Sequence, residues 1–123
     1  RATADNPLPD GNFVKKCIKI YFKYNLNYFY PNHKYYKIPY GLNIEVINLN
    51  LLRAQIKTKE NIEHVTFSIK KKFNSIIVKD QFIKKDYSNI NFSIDYVKDY
   101  LKTKKIMEKH NIFDTWSKIL KDE

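Results

Sequence analysis

The apolar residues near the start of the chain recur at every second position. Ile18, Ile20 and Phe22 alternate with a lysine and a tyrosine. Because successive side chains of a strand point to opposite faces, this period of two predicts a β-strand over 13–22. The residues that follow, up to Gly41, are rich in asparagine and contain two prolines, which is typical of a long connection.

A second alternation covers 42–52 and changes phase in its middle. Apolar residues take the even positions up to Val46 and the odd positions from Ile47 onwards. A strand that keeps one buried face cannot do this without an inserted residue. The pattern therefore predicts a strand with a bulge at Val46–Ile47, or a strand that is buried on both faces.

The segment 59–73 fits both periods. Its apolar residues recur on one helical stripe, and Thr58 stands where a helix cap is expected. Residues 65–69 alternate equally well as a strand and are rich in β-branched and aromatic side chains. We predict a helix here and keep the strand as the alternative.

Two further strands are predicted at 74–82 and 89–94, where apolar residues alternate between polar connections. The period then becomes helical. It predicts a helix that ends near Lys109 and a last helix over 112–120. Ser93 or Asp95 is the expected cap of the first of these helices. Val97, Tyr100, Leu101 and Lys104 are its expected inner stripe.

This order of elements predicts an α+β fold. We expect an antiparallel or mixed sheet of about four strands with two or three helices, the C-terminal ones packed on one face. Residues 1–12 contain two prolines and a glycine, which predicts an extended N-terminal arm, and 13–123 then form a single α+β domain. The single cysteine, Cys17, stands among apolar residues and is expected to be a small core residue.

The charge of the chain is strongly positive and unevenly distributed. The net charge is +10, and the segment from Gly11 to Ile44 has six lysines and no carboxylate. Such a segment favours an anionic partner. Lys, Asn, Ile, Tyr and Phe make up 68 of the 123 residues, a composition typical of an AT-rich genome, so codon bias supplies part of this surplus.

The segment 21–41 combines three of these lysines with seven tyrosines. Rings of this kind stack on nucleobases, and lysines neutralise phosphates. The alternative is that several tyrosines bury their rings and leave their hydroxyls in water. The basic run KKKF at 70–73 adds three more lysines. The candidate RNA-binding residues are therefore Lys15, Lys16, Lys19, Lys23, Lys34, Lys37, Tyr28, Tyr30, Tyr35, Tyr36, Lys70, Lys71 and Lys72.

Other chemistry finds little support in the sequence. With two glycines the chain cannot form a glycine-rich phosphate loop, and no Ser, His and Asp grouping or Cys/His metal spacing stands out. We therefore expect no enzyme activity, no cofactor, no metal and no small-molecule substrate. Two arginines among 23 basic residues argue against base-specific contacts and favour recognition of structured RNA by shape and charge.

Residues 58–109, with FSIKKKFNSIIVKDQF and NINFSIDYVKDYLKTKKI, resemble the C-terminal part of the eukaryotic translation initiation factor 1 family. A mitochondrial large-subunit ribosomal protein family looks similar. The glycine that those families place between the last strand and helix is replaced here by Ile94-Asp95. The resemblance implies ribosome binding through Lys70, Lys71 and Lys72.

The segment FDTWSKIL, a helix with one tryptophan after several predicted strands, is similar to the end of pleckstrin-homology domains. Those domains bind acidic lipid headgroups through basic loops near their first strands. A strand over 62–70 would favour this second resemblance.

Together these features predict a non-enzymatic RNA-binding component of a ribosome that contacts rRNA and neighbouring ribosomal proteins. Because the chain starts with Arg1 rather than Met, we expect a processed protein, most readily one of the mitochondrial or another organellar matrix. The alternative is a cytoplasmic, peripheral membrane module of pleckstrin-homology type that binds acidic lipids or a protein partner.

Overall fold

The structure of the chain is a computed structural model. It describes residues 1–8, 10–55, 62, 64–73, 77–79, 82–83, 85–111 and 114–122. The helices are α1 (Gly11–Lys23), α2 (His33–Tyr36), α3 (Leu49–Arg53), α4 (Phe67–Phe73), α5 (Val97–Lys109) and α6 (Trp116–Asp122). The strands are β1 (Tyr28–Phe29) and β2 (Val46–Ile47).

The sheet within the described residues is small. β1 and β2 pair antiparallel, with Tyr28 opposite Ile47 and Phe29 opposite Val46. The mixed α+β content is thus confirmed, but the prediction of about four strands is wrong, because the sheet of the described residues has two.

The first predicted strand is a helix. Phe13, Cys17 and Ile20 are buried and recur at the spacing of one helical face, whereas Ile18 and Phe22 are exposed. The alternation of isoleucines seen in the sequence is therefore incidental, since two of its three members lie outside the core. Cys17 is fully buried, which confirms its expected place in the core.

Asp10 explains where α1 begins. Its Oδ1 atom accepts a hydrogen bond from the amide of Phe13 (3.0 Å), which caps the helix. Its Oδ2 atom accepts from the amide of Trp116 at the start of α6 (3.2 Å). One buried carboxylate thus joins the starts of the first and last helices.

The phase change near Val46 is not a bulge. β2 ends at Ile47, and the Asn48 side chain accepts hydrogen bonds from the amides of Asn50 (2.9 Å) and Leu51 (3.3 Å), which begins α3. The second half of the predicted strand is therefore a short helix, and the shift from even to odd apolar positions marks the transition between the two elements.

The helix predicted over 59–73 is confirmed for Phe67–Phe73, but 64–66 form a bend and a turn, so it is wrong for those residues. The expected cap Thr58, and 59–61 and 63, lie outside the described residues. Because this helix includes residues 67–70, the strand over 62–70 that would favour the pleckstrin-homology resemblance is not formed.

The later predicted strands are wrong where the structure describes them. Residues 77–79 are irregular, and the rest of 74–82, apart from Phe82, lies outside the described residues. Segment 89–94 forms a single bridge between Tyr40 and Asn91. Its two hydrogen bonds join Tyr40 to the backbone of Ile90 and Phe92, both at 2.8 Å.

The helix predicted to end near Lys109 is confirmed, but its cap and its inner face differ from expectation. The N-cap is Tyr96, whose amide donates to the Asp99 carboxylate at 2.9 Å, rather than Ser93 or Asp95. The predicted inner stripe is exposed, Val97 by 75%. The buried residues of α5 are instead Thr103 and Ile106, which lie in its C-terminal half.

The last helix begins at Trp116, and residues 112–113 of its predicted range lie outside the described residues. Among the residues described, no helix is both long enough and apolar enough to cross a membrane.

The N-terminal segment follows the domain surface. Residues 1–8 form neither helix nor strand, and Gly11 and Asn12, assigned to the arm in the sequence, open α1. The backbone oxygen of Arg1 accepts from the Glu45 amide (2.9 Å), and that of Asp5 accepts from the Ile94 amide (2.8 Å).

The core brings distant segments together around the inner face of α1. Its buried members are Phe13, Cys17, Ile20, Phe29, Tyr36, Ile38, Leu42, Val78, Phe92, Ile106, Trp116 and Ile119.

Candidate nucleic-acid interface

Three predicted lysines share one outward face of α1. Lys15, Lys19 and Lys23 are exposed and stand four residues apart, so each lies about 40° further round the helix than the last. Phe22 lies beside them and is 72% exposed. We call these four residues the α1 face.

Lys16 stands apart from this face. It is half-buried, and its ammonium lies 4.7 Å from the centroid of the Phe82 ring. Its ammonium therefore lies over an aromatic side chain that packs against the core, as in a cation–π contact.

A second group, which includes the predicted residues Tyr30, Lys34 and Lys70, converges at α2 and α4. The Lys70 ammonium lies 3.9 Å from the centroid of the Tyr30 ring, and the rings of His33 and Tyr40 meet edge to face at 5.1 Å. With the exposed Lys34, these five residues form what we call the α2–α4 cluster.

The ionisation of this cluster reflects its burial. Burial lowers the pKa of Lys70, and the nearby Arg1 adds to that effect, while Glu45 opposes it. Burial, followed by Tyr40 and Glu45, raises the pKa of Tyr30 to about 12.

The His33 imidazole responds to the same surroundings. Burial lowers its pKa, and the positive charges of Lys34 and Lys70 lower it further. Since lysines from two different helices affect one ring, the cluster concentrates positive charge on this side of the domain.

Two of the predicted aromatic platforms are buried. Tyr28 is 1% exposed and packs on Phe73, with the ring centroids 6.1 Å apart. Tyr36 is also buried, and its hydroxyl both accepts from the Val78 amide (3.1 Å) and donates to the Val78 oxygen (3.2 Å). Neither ring is free to stack on a base. The rings are buried as the alternative expected, but the two hydroxyls are buried as well and do not reach water.

The remaining predicted residues are on the surface. Tyr35 is exposed and meets Tyr36 edge to face at 4.9 Å. Lys71 and Lys72 are exposed on α4. Lys37 is exposed too, but it lies close enough to Asp86 to contribute to the lowered pKa of that carboxyl, whose main cause is hydrogen bonding from Ser88.

A cavity of about 560 Å³ opens beside the α2–α4 cluster. Tyr30, Tyr40 and Lys70 line it, together with Arg1 and Glu45. The Arg1 guanidinium donates to Oε1 of Glu45 at 3.2 Å. Asn43, His64, Thr66 and Phe67, and the acidic residues Asp5 and Asp95, are also in its lining.

The sequence pattern found two lining residues of this cavity, Tyr30 and Lys70, and missed the rest. Glu45 was visible as the first acid after the acid-free segment. Nothing local indicates that Glu45 meets Arg1, because that pairing spans 44 positions of the chain.

Comparison of the chain with protein-family models, with curated proteins and with solved structures gives no match. The resemblances drawn from the sequence therefore stay predictions.

Proposed function

We propose that this protein binds RNA without catalysing a reaction, as a structural component of a ribosome. The observation that carries the proposal is the α1 face, where Lys15, Lys19 and Lys23 project along one side of a helix that has no acidic residue. The three lysines span about 12 Å along the helix axis, so they can reach successive phosphates of one strand.

Phosphate binding of this kind is driven by the release of counterions from the nucleic acid. Each neutralised phosphate contributes to the salt dependence of the affinity. The α2–α4 cluster and the exposed Lys71 and Lys72 add positive charge from a different part of the chain. Two basic regions on a domain with a net charge of +10 favour a long polyanion over a small anionic ligand.

Exposed rings beside these lysines favour RNA with unpaired bases. The Lys23 ammonium lies 4.8 Å from the centroid of the exposed Tyr24 ring, and Tyr35 is exposed next to Lys34. Bases that are splayed out of a loop stack on such rings. The composition typical of an AT-rich genome supports an organellar ribosome, with rRNA and neighbouring ribosomal proteins as partners.

A specific observation favours a second candidate function, binding to an anionic membrane surface. Phe22 exposes 72% of its surface among the lysines of α1, and apolar residues flanked by lysines are typical of helices that lie in the membrane interface. RNA is the better supported partner, because the basic side chains extend beyond α1 to α2 and α4.

The proposal is tested by removing the lysines of the α1 face together. We expect the triple variant K15Q/K19Q/K23Q to bind an rRNA fragment at least tenfold more weakly at low salt. Its slope of log affinity against log salt should be shallower by about 2, since about 0.7 is lost per phosphate contact to a single strand.

The matched control is K98Q/K102Q/K105Q, which removes three exposed lysines from α5. An equal loss of RNA binding in both triple variants would indicate a dependence on net charge alone and would contradict the proposal. Unchanged binding after the α1 substitutions would contradict it as well.

Sedimentation with vesicles containing phosphatidylserine separates the two candidates. Under the proposal, the chain stays in the supernatant at physiological salt, and Phe22→Ser leaves the salt slope of RNA binding unchanged. If the chain sediments with the vesicles and Phe22→Ser releases it, the membrane function takes precedence.

A further inference from the structure

Two residues that line the cavity beside the α2–α4 cluster carry a buried hydrogen-bond acceptor that has no donor among the described residues. Glu45 is 7% exposed, and while its Oε1 atom accepts from Arg1, its Oε2 atom has no partner among the described residues. The same is true of Oδ1 of Asn43. Both residues line the cavity.

Buried acceptors without a donor are costly, and native structures rarely leave them so. Water can supply the donors while the cavity is empty, and a ligand that displaces this water has to supply them instead. The terminal torsions of Asn and Glu are broad and soft, so each group can turn towards a donor that enters the cavity.

The rest of the lining restricts what that donor can be. Tyr30 and Tyr40 supply aromatic surface, and Lys70 and Arg1 supply N–H donors. A ligand that uses this lining presents a face for the two rings, N–H donors for Glu45 and Asn43, and an acceptor for Lys70 or Arg1. The volume of about 560 Å³ is within the range of small-molecule sites.

We propose that this cavity takes a single unpaired guanine base of the bound RNA. This inference rests on the proposed function and deepens it. It departs from the expectation of recognition by shape and charge alone, because the acceptors of Glu45 and Asn43, and not arginine side chains, read the base. Guanine presents the N1–H and N2–H donors side by side for Glu45 and Asn43, and its O6 acceptor follows next for Lys70 or Arg1. Uracil presents one N–H between two acceptors, and adenine and cytosine present one amino group beside an acceptor.

The acidic residues in the lining set the position of the phosphate. Asp5 and Asp95 contribute carboxylates to the same cavity, which disfavours a phosphate inside it. The base therefore enters while its phosphate stays outside the cavity. Such an arrangement matches the way proteins read bases that are splayed out of RNA loops.

The first test titrates the full chain with mononucleotides and follows binding by calorimetry or by saturation-transfer NMR. We expect GMP to bind at least tenfold more tightly than AMP. Inosine monophosphate lacks the 2-amino group and should bind about tenfold more weakly than GMP. Equal binding of all three nucleotides, or no binding of GMP, would overturn the inference.

The second test uses variants of the acceptors. Asn43→Leu and Glu45→Gln should each weaken GMP binding at least tenfold, whereas Asn43→Asp keeps an acceptor and should retain it. Glu108→Gln is the matched control for the change of charge, because Glu108 is exposed on α5 and outside this cavity. Circular dichroism establishes that each variant is folded. If Asn43→Leu is folded and binds GMP normally, the inference is wrong.

Two oligonucleotides separate this inference from the proposed function. We expect a uridine oligomer that contains one guanosine to bind at least tenfold more tightly than the uridine oligomer alone. If both bind equally and GMP does not bind, the guanine site is refuted while RNA binding stands. If GMP binds but neither oligomer does, RNA binding is refuted and the cavity stands as a mononucleotide site.

Discussion

The Lys70 ammonium lies 3.9 Å from the centroid of the Tyr30 ring, and this contact joins α4 to the residue that follows β1. A cation over the face of an aromatic ring is attracted by the ring quadrupole, more strongly where water is excluded. Lys70 is half-buried, so the contact positions the basic run of α4 against the aromatic segment.

A double-mutant cycle measures this contact. Comparing Tyr30→Leu, Lys70→Met and the double variant, we expect a coupling free energy of about 0.5–2 kcal/mol in urea unfolding. The control is Lys71→Met, an exposed neighbour, which should show no coupling to Tyr30→Leu. A coupling of zero between Lys70 and Tyr30 would show that the contact does not stabilise the fold.

The His33 imidazole should make stability depend on pH. Its pKa in the folded state is lowered from the ordinary value of 6.5 by burial and by two lysines. The unfolded chain therefore binds more protons, so the contribution to stability is complete above pH 6.5 and is lost as pH falls towards the lower, folded pKa.

NMR titration of His33 checks this directly, and Lys34→Met or Lys70→Met should raise its pKa. Lys15→Met on α1 is the control and should leave the titration unchanged. A His33 pKa at or above 6.5 in the native protein would contradict the expectation.

The Tyr36 hydroxyl holds a distant backbone segment. Tyr36→Phe leaves the amide and the carbonyl of Val78 without their partner, and both bonds are buried. We expect a loss of about 2–6 kcal/mol in the free energy of unfolding, since each of the two unsatisfied groups costs about 1–3 kcal/mol. Tyr35→Phe removes the neighbouring exposed hydroxyl and should stay within about 0.5 kcal/mol of the parent. Equal effects of the two substitutions would mean that the Val78 contact is unimportant.

Gly41 and Gly11 differ in what surrounds them. Gly41 has a φ of +90°, and an added Cβ would lie 2.4 Å from the Ser93 nitrogen and 2.6 Å from the Phe92 carbonyl carbon. Gly41→Ala should therefore destabilise the protein by more than about 2 kcal/mol, measured by thermal or urea unfolding. Gly11→Ala meets no atom within 4 Å and should be neutral or stabilising by up to about 1 kcal/mol. A tolerated Gly41→Ala would show that this loop can move away from Phe92.

The Cys17 thiol should be unreactive in the folded protein. Burial raises its pKa to about 12, so almost none of it is the reactive thiolate at neutral pH. Labelling with iodoacetamide should be slow in buffer and approach the rate of free cysteine in denaturing urea. Rapid labelling under native conditions would indicate that the core around α1 opens often.

Where the local signal was strong, the sequence was a reliable guide. The helical period after residue 96 predicted that α5 and α6 form, since helices depend on contacts three or four residues apart. It did not predict the buried face of α5, because the expected inner stripe is exposed. α1 was mistaken for a strand, because Ile18, Ile20 and Phe22 satisfy a period of two, while Phe13, Cys17 and Ile20 satisfy the helical one. Burial by distant core residues decides between two such patterns.

The sequence by itself determined the excess of lysine, its separation from acidic residues in the first third, the mixed α+β content and the place of Cys17 in the core. The tertiary structure alone decided that Lys15, Lys19 and Lys23 share a helical face, that Lys70 covers Tyr30, and that Glu45 and Asn43 line one cavity. The reason is physical: composition and short periods are properties of neighbouring residues, whereas these contacts join segments that meet only when the core closes around α1.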